Sequence, residues 1–246
     1  MLPPGGNFTE IGPGSINDNG DIAFVGFVSA PGRSGIFLWS ASTQTVGAIA
    51  QDGDPAPGGG TLQFLNVQEF DYVPSINNAG QVAFGANVVN VLNPAEGVFL
   101  FSGGTLSFVA RPDSAAPGGG TFFDAFSPSL NANGEVAFVG DTTLTSGVYF
   151  FSGGTTSIVA VIGDPAPGGG NFTFPGVFAI GINNQGEVVF DGLLSTGSIG
   201  VFLATPQPGP AATTYQQRGR LPSANDDGAG RTLDPGTFWN QRKRLP

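Results

Sequence analysis

The run Asn17-Asp18-Asn19-Gly20-Asp21 places four oxygen-bearing side chains around one glycine. That donor set suits calcium, a hard cation that takes oxygen ligands. The distal bidentate glutamate of an EF-hand loop is missing, however. Three further copies, opening at Asn77, Asn131 and Asn183, have lost most of the acids. Calcium at Asn17, Asp18, Asn19 and Asp21 is therefore the single metal expectation, and no other cofactor is expected. A turn explains all four copies together. An Asn side chain makes an Asx turn, and Gly20, Gly80, Gly134 and Gly186 tolerate a positive φ.

Carboxylate pairs are the other chemistry to weigh, because glycoside hydrolysis needs two acids flanking one bond. Asp21, Glu135 and Glu187 occupy equivalent turn exits, with Gln81 as the fourth. Glu69, Asp71, Glu96, Asp124 and Asp141 instead break the repeat, which makes them better candidates for a local function. A solvated loop carboxylate is the default reading for each.

The segments GDPAPGGG (53–60, 163–170) and DSAAPGGG (113–120) suggest a phosphate loop at first sight. They lack the Lys and Ser/Thr of a P-loop and lead into Phe-rich strands rather than a helix. A stiff Pro followed by tight Gly turns reads as a connector between units. Asp54 and Asp164 then sit at equivalent places, with Ser114 as counterpart and Asp113 one residue earlier.

Composition removes other chemistries. The 246 residues include no Cys and no His. Thiolate nucleophiles, disulfides, zinc fingers, and Ser-His or Cys-His machinery are excluded. Residues 1–206 carry fifteen acidic side chains against Arg33 and Arg111, a net −13, whereas residues 207–246 carry +3. The overall −10 argues against a nucleic-acid partner. No run approaches the 18 apolar residues of a membrane span. The start MLPPGGNFTE lacks the regions of a signal peptide. A removed signal or a fragment explains this, and the start inside a repeat favours a fragment.

What positions these groups is a repeat. Gly and Pro number 41 and 20, yet 40% of residues are hydrophobic, so the chain is folded and rich in turns. Four copies of one pattern cover residues 3–206. A Pro-Gly turn recurs at Pro3, Pro57, Pro117 and Pro167. SINDNGDIAF (15–24), SINNAGQVAF (75–84), SLNANGEVAF (129–138) and GINNQGEVVF (181–190) follow it. GIFLW, GVFLF, GVYFF and GVFLA come next, and TVGAIA, TLSFVA and TTSIVA close the first three copies.

Each unit of about 50–60 residues predicts up to four short strands, the first least regular. Strands two and three are apolar on both faces, which suits sheets packed between sheets. Phe24, Phe84, Phe138 and Phe190 form one core column, and Phe37, Phe99, Tyr149 and Phe202 another. The expected fold is all-β, a β-propeller-like array of four blades over 1–206 with a basic, mostly irregular tail over 207–246. A β-solenoid and a pair of sandwiches are the structural rivals.

The pattern Ile-Asn-x-x-Gly-x-Val-Ala-Phe … Gly-Val-Phe-Leu-Phe-x-Gly-Gly resembles the HAF family and related propeller-type repeats of secreted bacterial proteins. Residues Gly14 to Trp39 carry the closest likeness, and weaker ones recur to Leu203. The family's His-Ala-Phe corresponds to Gly-Ile-Phe at 35–37, so its namesake His is absent. The resemblance implies a secreted or surface-attached repeat protein, and it brings no catalytic residues. In such a protein the sequons at Asn7 and Asn171 read as coincidence.

The expected function is non-catalytic, in scaffolding, display or self-assembly. A glycan-binding propeller is the first alternative, with Phe70, Tyr72, Phe123 and Phe126 as exposed aromatics. A carboxylate-dependent glycoside hydrolase is the second. Fifteen candidate strands leave the fourth unit one short. Either Thr213–Gln217 supplies that strand and closes a ring, or neighbouring chains cover the open edge in a dimer or filament.

Overall fold

A computed structural model describes residues 7–29, 32–64, 73–207 and 214–221, with backbone alone for 177, 178, 207 and 214–221. Every described element is a strand, and every pairing is antiparallel. Blade 1 is β1 (Phe8–Ile16), β2 (Ile22–Val28), β3 (Arg33–Ser40) and β4 (Thr45–Gln51). Blade 2 opens with two pieces, β5 (Thr61–Gln63) and β6 (Ser75–Ile76). It continues as β7 (Val82–Val89), β8 (Ala95–Ser102) and β9 (Thr105–Ala110). Blade 3 is β10 (Phe122–Leu130), β11 (Val136–Thr142), β12 (Ser146–Ser152) and β13 (Thr155–Val161). Blade 4 is β14 (Phe172–Ile182), β15 (Val188–Leu194), β16 (Ile199–Gln207) and β17 (Thr214–Leu221). Each sheet is a meander in chain order. The all-β, propeller-like array read from the repeat is thus the observed architecture.

Strand β17 supplies the strand that the fourth repeat lacks. It pairs with β16 from Gln207↔Thr214 to Val201↔Leu221. The sheet therefore crosses the boundary at 206 and takes up residues of the tail. The tail expected to be mostly irregular over 207–246 instead forms a strand at Thr214–Leu221, and residues 222–246 lie outside the described set. Filling this edge does not make a ring. Among the described residues, sheet-to-sheet packing runs from blade 1 to 2 to 3 to 4, and the sheets are not closed.

The core lies between blades. Strand side chains alternate, so each sheet has a leading face toward the next blade and a trailing face toward the previous one. Ala23, Val25 and Ile36 lead from blade 1 onto Leu62, Val82, Phe84 and Phe99 of blade 2. Ala83, Val98 and Ala110 lead onto Phe122, Val136, Phe138 and Tyr149. Ala137, Val148 and Ala160 lead onto Phe172, Val188, Phe190 and Phe202. Small and branched residues therefore meet aromatics at each joint. This explains why strands two and three show no polar face in the sequence.

The trailing faces of blades 1, 3 and 4 each carry an aromatic trio from strands one, two and three. Phe122, Phe138 and Tyr149 have ring centroids 5.0–5.8 Å apart, and Phe172, Phe190 and Phe202 repeat the arrangement at 4.8–5.8 Å. The first-strand Phe lies on a glycine of strand two. A Cβ on Gly26, Gly140 or Gly192 would come within 2.8 Å of Phe8, Phe122 or Phe172. In blade 2 both partners change together: Leu62 replaces the Phe and Ala86 the Gly, both buried.

Candidate functional site

The four NxxG turns join strand one to strand two, one in each blade, and follow one another from blade to blade. Each is closed by the same bonds. Gly20 N–H donates to the Asn17 carbonyl at 3.0 Å, and Asn17 Oδ1 accepts from Asp21 N–H at 2.9 Å. Gly80, Gly134 and Gly186 make the equivalent bond to Asn77, Asn131 and Asn183. The four glycines have φ of +82°, +73°, +79° and +74°, the left-handed region that a Cβ disfavours.

The asparagines also connect the blades. Asn17 Nδ2 donates to the Asn77 carbonyl at 3.1 Å. Asn77 Nδ2 donates to the Asn131 carbonyl, and Asn131 Nδ2 to the Asn183 carbonyl, both at 2.9 Å. The second N–H of each amide is held by its own turn exit, at Asp21, Gln81, Glu135 or Glu187. Those exits reach in turn to the hairpin between strands three and four. Asp21 accepts from Ala41 N–H, Gln81 donates to Ser102, and Glu135 accepts from Ser152. One ladder of side-chain bonds thus ties four turns across three joints. Asn17, Asn77 and Asn131 are buried within it, whereas Asn183, at the end, is exposed.

The calcium candidates belong to this ladder. Asp21 accepts from Ala41 N–H and from Asn17 Nδ2, and these bonds, the first above all, hold its carboxyl below the usual carboxylate range. Asp18 accepts from Asn78 Nδ2 at 2.7 Å, and Asn19 Nδ2 donates to the Asn78 carbonyl. A cation at this turn would have to displace these donors. Among the described residues no group of three or more acidic ligands is gathered in metal-binding form.

The connectors are equally repetitive. Asp54, Ser114 and Asp164 each accept from the backbone N–H three residues earlier, at 2.8, 3.1 and 2.9 Å. Gly58, Gly59 and Gly60, and their counterparts, carry the reversal with positive φ. The two cations of the body serve the first connector. Arg33 pairs with Asp54 at 2.5 Å and donates to the Asp52 carbonyl, and Arg111 donates to the Pro57 carbonyl at 3.0 Å.

The repeat-breaking acids behave differently. Glu69 and Asp71, like the aromatics Phe70 and Tyr72, lie outside the described residues. Asp124 and Asp141 are cross-strand partners in blade 3, and Asp124 accepts from Glu96 N–H of blade 2 at 3.0 Å. Glu96 and Asp124 thus meet at the second joint. Asp141 is only 1% exposed, which corrects its reading as a solvated loop acid. It lies within β11, a strand packed between neighbours. Phe126 is corrected likewise: β10 packs against β7, β8 and β14, and Phe126 is buried there. Phe123 is exposed as expected. Asp191 went unnoticed in the sequence. It is buried and accepts from Ala179 N–H across the bulge of β14. Its place in the column of Val25, Gly85 and Val139 was the available signal.

Beside Asp141 sits Tyr149, fully buried, with no well-placed hydrogen-bond partner for its hydroxyl. Burial pushes its pKa up to about 12; nearby Thr142 opposes the shift, and the Asp141 charge adds a smaller upward push. The folded state holds this proton more tightly than the unfolded chain. Its stability contribution is complete below about pH 10 and is lost as pH rises toward 12. Tyr149→Phe, the residue of the other three blades, should remove this alkaline loss and leave neutral stability level or up to about 1 kcal/mol higher. Denaturant melts of both proteins across pH 7–12 measure it. A variant that loses stability as steeply as the parent would refute the assignment.

No curated protein matches the sequence. Among the described residues no helix is long and apolar enough to cross a membrane. A solved structure, TolB from Acinetobacter baumannii, matches at 17% identity with a TM-score of 0.48. The match covers 80% of this chain and 41% of TolB, so the chain spans well under half of that protein. Residues 3–93 match the model of DUF7453, a family of unknown function, a stretch that takes in blade 1 and runs through β7 of blade 2.

Proposed function

We propose that this chain is a non-catalytic repeat module whose stacked blades serve scaffolding, display or self-assembly. The observation that carries the reading is the fate of the repeated polar groups. Asp21, Gln81, Glu135 and Glu187 each hold the asparagine of their own turn, one per blade. Side chains spent on the same structural bond in four places are not a catalytic pair. Secretion or surface attachment is part of the proposal, supported by the resemblance to HAF-type repeats. Of the alternatives, the hydrolase is the less favoured, because Asp141 at 1% exposure leaves a sugar no access. The lectin retains Phe123 as its exposed aromatic.

The purified chain, incubated with aryl glycosides, polysaccharides, esters and phosphate esters, is expected to release no product above buffer. Turnover that disappears in Asp124→Asn would overturn the reading in favour of the hydrolase. Selective capture on a glycan array, lost in Phe123→Ala, would overturn it in favour of the lectin.

A further inference from the structure

The two outer faces of the array are the two halves of the joint that already occurs three times inside it. Val189 on the leading face of blade 4 is 41% exposed, while its counterparts Ala23, Ala83 and Ala137 are at 0%. Val201 is 38% exposed, while Ile36, Val98 and Val148 are at 0%. On the trailing face of blade 1, Ile16 is 67% exposed against 9% for Ile76 and 8% for Leu130. Ile11 is exposed where Ala125 and Pro175 are buried, and Phe24 is only half-buried where Phe84 and Phe138 are fully so. The ladder has matching ends. Asn183 Nδ2 donates to its turn exit Glu187, and Asn183 is exposed, with no described blade beyond it to take up a second bond. The Asn17 carbonyl accepts from Gly20 within its own turn. Its counterparts at Asn77, Asn131 and Asn183 also accept an amide from the preceding blade.

We propose that the leading face of blade 4 docks on the trailing face of blade 1 of a second copy, continuing the blade stack and the asparagine ladder head to tail. The inference deepens the scaffolding reading and rests on it. It commits to a second copy because the docking geometry is continuous with three existing interfaces of the same two faces. Blade 4 has its fourth strand in β17, as the other blades have theirs, so the proposed contact uses sheet faces rather than the place of a missing strand. Such a contact is heterologous, and it yields a ring if the rotation closes and a filament if it does not.

Light scattering and sedimentation of the full chain test this, at concentrations up to about 0.1 mM, where a micromolar interface is saturated. The parent is expected to assemble with concentration. Val201→Asp and Ile16→Asp each block one face at an exposed position, so each should keep its melting point and stay monomeric. Mixed together, they should form a one-to-one dimer that grows no further, because each retains the face the other lacks. A parent that stays monomeric would overturn the docking and leave the non-catalytic reading, which the turnover assays test separately, standing. Assembly blocked by only one of the two substitutions would also overturn it, since that marks an isologous contact. So would a monomeric parent that assembles once residues 222–246 are removed, since the tail would then be the occupant.

Discussion

Asn77→Ala is expected to lower the unfolding free energy by about 2–4 kcal/mol, while Asn183→Ala, the same change in the same turn, costs about 0.5–1.5 kcal/mol. Both lose an acceptor for two backbone N–H groups of their own turn. The difference lies in what surrounds them. Asn77 is buried, donates across a joint to the Asn131 carbonyl and holds the Gln81 side chain. Removing it strands those groups where water enters poorly, and a buried unsatisfied group costs its desolvation. Asn183 is exposed, so water replaces what the side chain supplied. Urea melts of the two single variants decide the matter. Equal losses at both positions would show that the bonds between blades add nothing to the local turn.

The second large effect concerns packing. Gly140→Ala is expected to cost about 1–3 kcal/mol, because its Cβ would lie 2.8 Å from Phe122 and 3.1 Å from Tyr149. Phe122→Leu alone should cost about 1–3 kcal/mol through the space it opens. Together the two changes reproduce the buried Leu62–Ala86 pair of blade 2. The double variant should therefore be more stable than the sum of the singles by about 1–2 kcal/mol. Strict additivity in a denaturant double-mutant cycle would mean that the two sites do not share the space.

Much of this architecture is written locally. The NxxG turns, the PGGG connectors and the Val-Ala-Phe and Gly-Val-Phe segments each depend on contacts within a few residues. Turn chemistry and strand composition read them directly. The covariation of Leu62 with Ala86 was also present in the sequence, though its meaning needs the strand register that puts the two side chains together. The asparagine ladder is less legible. The repeat marks Asn17, Asn77, Asn131 and Asn183 as equivalent turn residues, but nothing in their spacing says that each amide reaches the next blade's carbonyl. That bond depends on the distance between sheets, which the packing of aromatics against small residues sets.

By itself the sequence determined four blades, their strand columns, the turns that join strands and the connectors that join blades. It excluded chemistry that needs Cys or His. Tertiary structure alone decided which of the repeated positions are covered. Ile16 and Ile76 occupy the same place in the same motif, yet one is 67% exposed and the other 9%. The same holds for Val201 and Val98, at 38% and 0%. Repetition specifies what each residue does inside its unit. Burial depends on whether another unit stands beside it, and that is a property of position in the stack.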